Sequence, residues 1–301
     1  MSGEQGPETA LLLRAHEVES ALEVIDPVAV LAEQLIGRAV GRPHPRGRLR
    51  PWCDSGEFVV LDHPDATPPC VLPAHSLHMA QAAALTAVAA RELLPAGGVT
   101  VAVLGSADTT QPQLPVIARH VPDISHVALC LAGGPAAIDP RLADLLELSG
   151  IRLSVVDTLA DAVFGANLVV ATNHSAPRQN LDNLRIGQLA RGAVLVGATG
   201  KDPPAELVDR VDQVFVDDLG LLAAHLDRHV VAAHLAGHPG GPDRRITADL
   251  PQLLTGRHAG RLRIDDVVLV ELLGVDEPNV ELAYRIYEGA KRTGLGERIT
   301  D

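Results

Sequence analysis

The sequence predicts an α/β protein: a doubly wound parallel sheet domain joined to a smaller, discontinuous α+β domain. Three observations carry that prediction. Short apolar, β-branched runs at residues 99–104, 127–131, 151–156, 168–171, 193–196 and 213–216 alternate with helical stretches, which is the pattern of successive βαβ units. An alanine-rich stretch at 74–94 reads as one long helix placed ahead of the first run. After a polar loop at 237–245, a further strand at 264–272 and a terminal helix at 279–293 return the chain to the unit it began with. The expected boundaries are residues 1–95 with 262–301 for the smaller domain and 96–261 for the sheet domain.

In chain order, a segment rich in proline and arginine at 41–51 comes first, followed by a hairpin-like stretch at 57–62 and then the long helix. The first sheet strand ends in Val103-Leu104-Gly105-Ser106-Ala107-Asp108-Thr109-Thr110-Gln111. A strand running through such a turn into a helix is where a Rossmann-like G-x-G-x-x-G/A pattern sets a pyrophosphate on a helix N-terminus. Only the first small residue is kept. Ala107 replaces the glycine that lets backbone approach phosphate, and Thr110 takes the position that packs helix on strand. Asp108 puts a carboxylate where an anion would sit, or else caps the helix. Pro112 suits a first helical turn, whereas Pro115 falls where an amide donor is wanted. Gly105, Ser106, Ala107 and Thr109 are the candidate cofactor contacts of this turn. After the second strand, Ala132-Gly133-Gly134 offers neither an acid for the ribose of NAD nor a base for the phosphate of NADP.

Composition narrows the partners. A chain of 301 residues that is 47% hydrophobic can bury one large or two moderate cores. A net charge of -13 with 2% aromatics excludes a nucleic-acid surface built on basic patches and stacking rings, leaving a small-molecule substrate. Cys53, Cys70 and Cys130 are odd in number and lack C-x-x-C spacing, as expected of reduced thiols in a cytoplasmic protein. No targeting or membrane-spanning pattern stands out. Among His225, His229, His234 and His238 the first two stand at i, i+4, a zinc-helix spacing, but a solvated helix face explains the same residues and no metal is expected.

Three segments together resemble the ornithine cyclodeaminase/mu-crystallin family: Leu168-Val169-Val170-Ala171-Thr172-Asn173-His174-Ser175-Ala176-Pro177; Gly192-Ala193-Val194-Leu195-Val196-Gly197-Ala198-Thr199-Gly200 leading on to Phe215-Val216-Asp217-Asp218; and Ile286-Tyr287-Glu288-Gly289-Ala290-Lys291-Arg292-Thr293-Gly294-Leu295-Gly296. The helix at 80–94 and Asp249-Leu250-Pro251-Gln252-Leu253-Leu254-Thr255-Gly256-Arg257 match in spacing, so the resemblance runs from about residue 72 onward. It implies a two-domain fold, a homodimer formed through the smaller domain, and NAD(P)H-linked chemistry at a carbon bearing an amine or imine. By the same resemblance, Thr172, Asn173 and Ser175 face the nicotinamide and its ribose, and Gly197 and Ala198 line the cofactor position.

The charged corners of the family's amino-acid pocket are replaced. Only Lys201 and Lys291 are present, so the family's lysine ahead of the long helix is absent. Its helix arginine falls on Gln81, a neutral amide in place of a bidentate cation. Its acid near the start of the terminal helix falls on Asn279. Substitutes exist. His75, His78 and Gln81 lie at i, i+3 and i+6 and can share one helix face, where a histidine would donate a proton to an imine nitrogen. The competing reading is a structural or surface histidine. Arg46, Arg48 and Arg50 can clamp a carboxylate or phosphate, Arg48 and Arg50 being the substrate-binding candidates, or can simply be solvated. Three readings follow: an NAD(P)H-dependent reductase of an imine or amino-acid-like substrate in a specialised biosynthetic pathway; a degenerate member that binds a small molecule or acts as a scaffold, its nucleotide binding lost; and a non-redox enzyme that uses the crevice for another small molecule, which no residue selects.

Overall fold

The computed structural model describes residues 9–43, 46–53, 55–132, 138–172, 183–198, 203–237 and 245–300. In chain order the strands are β1 (Thr9–Leu12), β2 (Arg48–Pro51), β3 (Phe58–Asp62), β4 (Cys70–Pro73), β5 (Val99–Ser106), β6 (Ile124–Ala132), β7 (Arg152–Val155), β8 (Leu168–Ala171), β9 (Val194–Gly197), β10 (Gln213–Val216), β11 (Ile246–Asp249), β12 (Val268–Glu271) and β13 (Glu297–Thr300). They form two sheets, and the chain divides into two compact units, residues 1–81 with 277–301 and residues 82–276. The division falls inside the long helix Ala74–Leu93.

The first unit carries a mixed sheet in the order β13-β1-β4-β3-β2. β3 runs antiparallel to both β2 and β4, β1 lies parallel to β4, and β13 pairs antiparallel with β1 through Thr9↔Thr300. That first-to-last pairing is what makes the unit discontinuous. Ala10, Val60 and Val71 form its apolar face. The terminal helix Val280–Thr293 begins at Asn279, whose side chain accepts from the Leu282 amide, and ends at left-handed Gly294 with φ 71°. Both ends are therefore capped within the local sequence. Where this helix meets the helix Ala15–Glu23, a Cβ on Gly289 would sit 3.1 Å from the Ala21 carbonyl oxygen, so a glycine permits the approach.

The second unit is an eight-stranded sheet in the order β11-β10-β12-β9-β8-β5-β6-β7, with all neighbours parallel. Every residue of β8, β9, β10 and β12 is buried, because helices cover both faces of a parallel sheet and its inner strands then read as continuous apolar runs rather than alternating ones. That rule explains a correction. The strand expected at 264–272 within the smaller domain forms only at β12, which lies between β9 and β10 in the large sheet, with Val268 in register with both Val194 and Gln213. Its Val-Leu-Val-Glu run suits that interior place. β11, which the sequence pattern did not reveal, adds an edge strand.

Pro112 and Pro115 segment the helix after β5 into Ala107–Thr110, a 3-10 turn at Gln111–Gln113 and Leu114–His120. Each proline occupies the first or second position of its piece, where a missing amide costs no hydrogen bond. No described helix is long and apolar enough to cross a membrane. All three cysteines are free, Cys70 and Cys130 being buried; burial pushes the Cys70 thiol up to about 12.

Candidate functional site

β6 and β7 extend from one side of β5, and β8 and β9 from the other, so the strand order reverses between β5 and β8. In open α/β sheets the carboxyl ends at such a reversal form the ligand crevice. Four sequence-selected residues meet here. At the end of β5, Gly105 lies so close to the end of β8 that a Cβ on it would overlap the Thr172 hydroxyl. Thr172 Oγ1 donates to the Leu104 carbonyl at 3.1 Å and lies 2.9 Å from Thr109 Oγ1. Thr109 Oγ1 is 3.0 Å from Ser106 Oγ and 3.1 Å from the Ser106 carbonyl, to which Thr110 also donates at 2.9 Å.

Three hydroxyls thus form a chain across the reversal point. Ser106 and Thr109 are half-buried, whereas Thr110 and Thr172 are buried. Ser106 holds a rotatable hydroxyl proton that can be offered to an incoming anion oxygen, while Thr109 donates its own to the Ser106 carbonyl. Ala107 begins the helix after β5, half-buried. Asp108 is not the cap: Ser106 holds the N-cap position, and Asp108 is an exposed acid in the first turn. Asn173 and Ser175 lie outside the described residues, as do Gly133, Gly134, Thr199, Gly200 and His238.

On β9, Gly197 is in register with Glu271 of β12, and a Cβ on Gly197 would overlap the Glu271 carboxylate. The Ala198 amide donates to the Ala171 carbonyl at 2.9 Å, joining the ends of β9 and β8. Glu271 is 1% exposed and pairs with Arg228, itself 5% exposed, at 2.8 Å. The chain reading did not single out this ion pair. Its signal was a lone acid inside the apolar run Val267-Val268-Leu269-Val270-Glu271-Leu272-Leu273, since a buried carboxylate requires a cation.

Asp217 lies just beyond β10, at the end of the Phe215-Val216-Asp217-Asp218 motif. It is fully buried, and its oxygens accept from the amides of Leu273 at 2.8 Å, Gly274 at 2.7 Å and Asp218 at 3.0 Å. Burial pushes its carboxyl up to about 6, against the downward pull of those three amides. Asp249, at the end of β11, accepts from Leu219 at 3.1 Å and Gln252 at 3.0 Å. The acids at the ends of β10, β11 and β12 therefore hold loop backbone in place or neutralise Arg228.

In the other unit, His75, His78 and Gln81 do stand on one helix, with exposure falling from exposed His75 through half-buried His78 to Gln81 at 4%. Gln81 Nε2 donates to the Glu277 carbonyl at 3.0 Å. Asn279 combines its capping role with a 2.5 Å hydrogen bond from Nδ2 to Gln34 Oε1. Arg48 faces Asp62 across the β2–β3 ladder in an exposed 3.0 Å ion pair, and Arg50, half-buried, stands opposite Val60 on the same strand face. Arg46 is exposed.

The histidine spacing is not a shared helix face. His225 ends the turn Leu219–Ala224, and His229 opens the separate helix His229–Ala236. His234 is buried, its Nδ1 accepting from the Ile246 amide at 3.1 Å. Among the described residues no group of His, Cys, Asp and Glu has the geometry of a metal site.

The sequence model of the ornithine cyclodeaminase/mu-crystallin family matches residues 5–294. No curated protein matches the sequence. Among solved structures, the chain is similar to CmnK, with 22% identity, 97% of this chain and 98% of that one covered and a TM-score of 0.70. It is similar to an archaeal alanine dehydrogenase dimer with bound NAD, with 18% identity, coverage of 97% and 99% and a TM-score of 0.69. A third likeness is to the Thermococcus litoralis Delta(1)-pyrroline-2-carboxylate reductase in complex with NADH and L-proline, with 15% identity, coverage of 96% and 100% and a TM-score of 0.65. At these identities the likeness is one of fold.

Proposed function

The chain belongs to the ornithine cyclodeaminase/mu-crystallin family, and on that premise we propose that it is an NAD(P)H-dependent reductase of an imine or amino-acid-like substrate in a specialised biosynthetic pathway. The observation that carries this reading is the hydroxyl chain Ser106–Thr109–Thr172 at the reversal between β5 and β8. A dinucleotide would be held there by backbone at Gly105, Ser106 and Ala107 and by the Ser106 and Thr109 hydroxyls, with Thr172, Asn173, Ser175, Gly197 and Ala198 along the nicotinamide half. When bound, the nicotinamide supplies the hydride.

The protein's own residues would position the substrate and move one proton. His78 is the favoured donor over exposed His75, since its half-buried imidazole can be shielded from bulk water. Gln81 and Asn279, where the family places charge, act as neutral hydrogen-bonding groups and suit a substrate without a free α-carboxylate. Arg48 and Arg50 remain the proposed contacts for any anionic end of the substrate. We also propose a homodimeric, cytoplasmic protein.

Asp108 favours the second reading, a degenerate member that binds a small molecule without redox chemistry. An exposed carboxylate in the first turn opposes a phosphate at that helix N-terminus. Titration of nucleotide-free protein with NADH and with NADPH, followed by nucleotide fluorescence and thermal shift, separates the two. Saturation at micromolar to millimolar nucleotide supports the reductase and names its cofactor; a folded protein that binds neither overturns it.

A further inference from the structure

A cleft of about 210 Å³ lies within the first unit, between the helix Pro27–Ala39 and the start of the terminal helix. Three guanidinium groups line it, those of Arg38, Arg42 and Arg285, together with the carboxylates of Glu33 and Glu281. The helix ends in a Schellman turn. The Arg42 amide donates to the Gly37 carbonyl at 2.8 Å and the Gly41 amide to the Arg38 carbonyl at 3.0 Å, with Gly41 at φ 70°. This turn folds the chain back so that the Arg42 stem lies over Gly37, where a Cβ would be 3.5 Å from Arg42 Cδ.

The last-turn carbonyls are thus satisfied by backbone amides, and the arginine heads are not needed as caps. Among the described residues, the Arg42 guanidinium and the Glu33 carboxylate have no ion pair or hydrogen bond. Arg285 commits Nε to Glu281 and Nη1 to Glu288, each at 2.9 Å, leaving Nη2 over. In a chain with a net charge of -13, this cleft offers the Arg42 guanidinium and Nη2 of Arg285 as cationic donors with the Glu33 carboxylate beside them.

We propose that the cleft binds a small α-amino acid, its carboxylate held by Arg42 and by Nη2 of Arg285 and its ammonium by Glu33. Guanidinium groups recognise planar carboxylates through paired N–H donors. A more highly charged anion such as phosphate would meet Glu33 and Glu281 at the same rim, which disfavours it. The volume fits a molecule of amino-acid size rather than a nucleotide. The cleft is lined by residues of the first unit alone, and the inference stands whether or not the protein is a reductase.

The test is calorimetry and thermal shift on the full chain with a panel of L-α-amino acids at up to millimolar concentration, each beside its decarboxylated amine, with inorganic phosphate in parallel. The expected result is saturable binding of at least one amino acid and not of its amine, weakened at least about tenfold by Arg42→Gln, with NADH and NADPH titrations of that variant unchanged from the parent. Arg285→Gln also removes two ion pairs of the terminal helix and so changes more than the proposed contact; Arg42→Gln and Glu33→Gln, both on exposed residues, carry the test. Equal binding in the parent and in Arg42→Gln, binding of phosphate alone, or binding of nothing in the panel would each overturn the proposal.

Discussion

The Thr172 hydroxyl fills the space that a side chain on Gly105 would need. These residues end β5 and β8 at the point where strand order reverses, so packing and the candidate cofactor contact share the same few atoms. Thr109 Oγ1 and Thr110 Cγ2 close the other sides of that space, each 3.1 Å from where a Cβ on Gly105 would lie.

Gly105→Ala should therefore destabilise the protein by about 1–3 kcal/mol through overpacking. Adding Thr172→Ala to the variant should recover much of the loss. Urea melts of the two single variants and the double variant test this; additive losses would show that the two positions do not compete for one space.

Thr172→Val keeps the shape and removes the hydroxyl. It deletes the bond to the Leu104 carbonyl and the contact with Thr109, at a cost of about 1 kcal/mol in stability. If the hydroxyl chain holds a dinucleotide, NADH affinity should fall about five- to tenfold in the fluorescence titration. Affinity equal to the parent's would remove Thr172 from the cofactor site.

Asp217 gives a pH dependence of defined sign. Its carboxyl is raised from 3.8 to about 6 by burial, so the folded state holds a proton that the unfolded state has released. The resulting stability is fully present below about 3.8 and is lost as pH rises through about 6. In Asp217→Asn that loss is absent, so the gap between parent and variant should narrow as pH rises from 4 to 7. The variant should still be less stable, by about 1–3 kcal/mol, because an amide cannot accept all three backbone donors. Thermal melts across this pH range decide it, and parallel curves would refute the titration.

Arg228 and Glu271 form a pair with neither partner exposed. Removing one charge leaves the other buried and uncompensated, so Glu271→Gln should cost about 3–5 kcal/mol. Replacing both by apolar residues should cost less than the sum of the single losses. A double-mutant cycle measured by denaturant melts reads that coupling, and additivity would mean the pair is not interacting as the geometry indicates.

The sequence by itself determined the class and most of the large sheet. Runs such as 168–171 and 213–216 appear as β8 and β10 with the same limits, because a strand buried on both faces must be continuously apolar and leaves an unambiguous local signature. It also determined the terminal helix, whose Asn279 cap and Gly294 stop are local chemistry. Gly105 and Thr109 could be selected from the turn that follows the first sheet strand, and Thr172 from the family resemblance at the end of β8.

Only the tertiary structure decided where β12 inserts, since an apolar run specifies burial but not which neighbours bury it. It alone identified Ser106 rather than Asp108 as the cap, separated His225 from His229, and paired Arg228 with Glu271 across 43 residues. Those outcomes depend on contacts between distant segments, where the choice of partner is set by the register of the sheet and the space left around each buried charge rather than by local spacing.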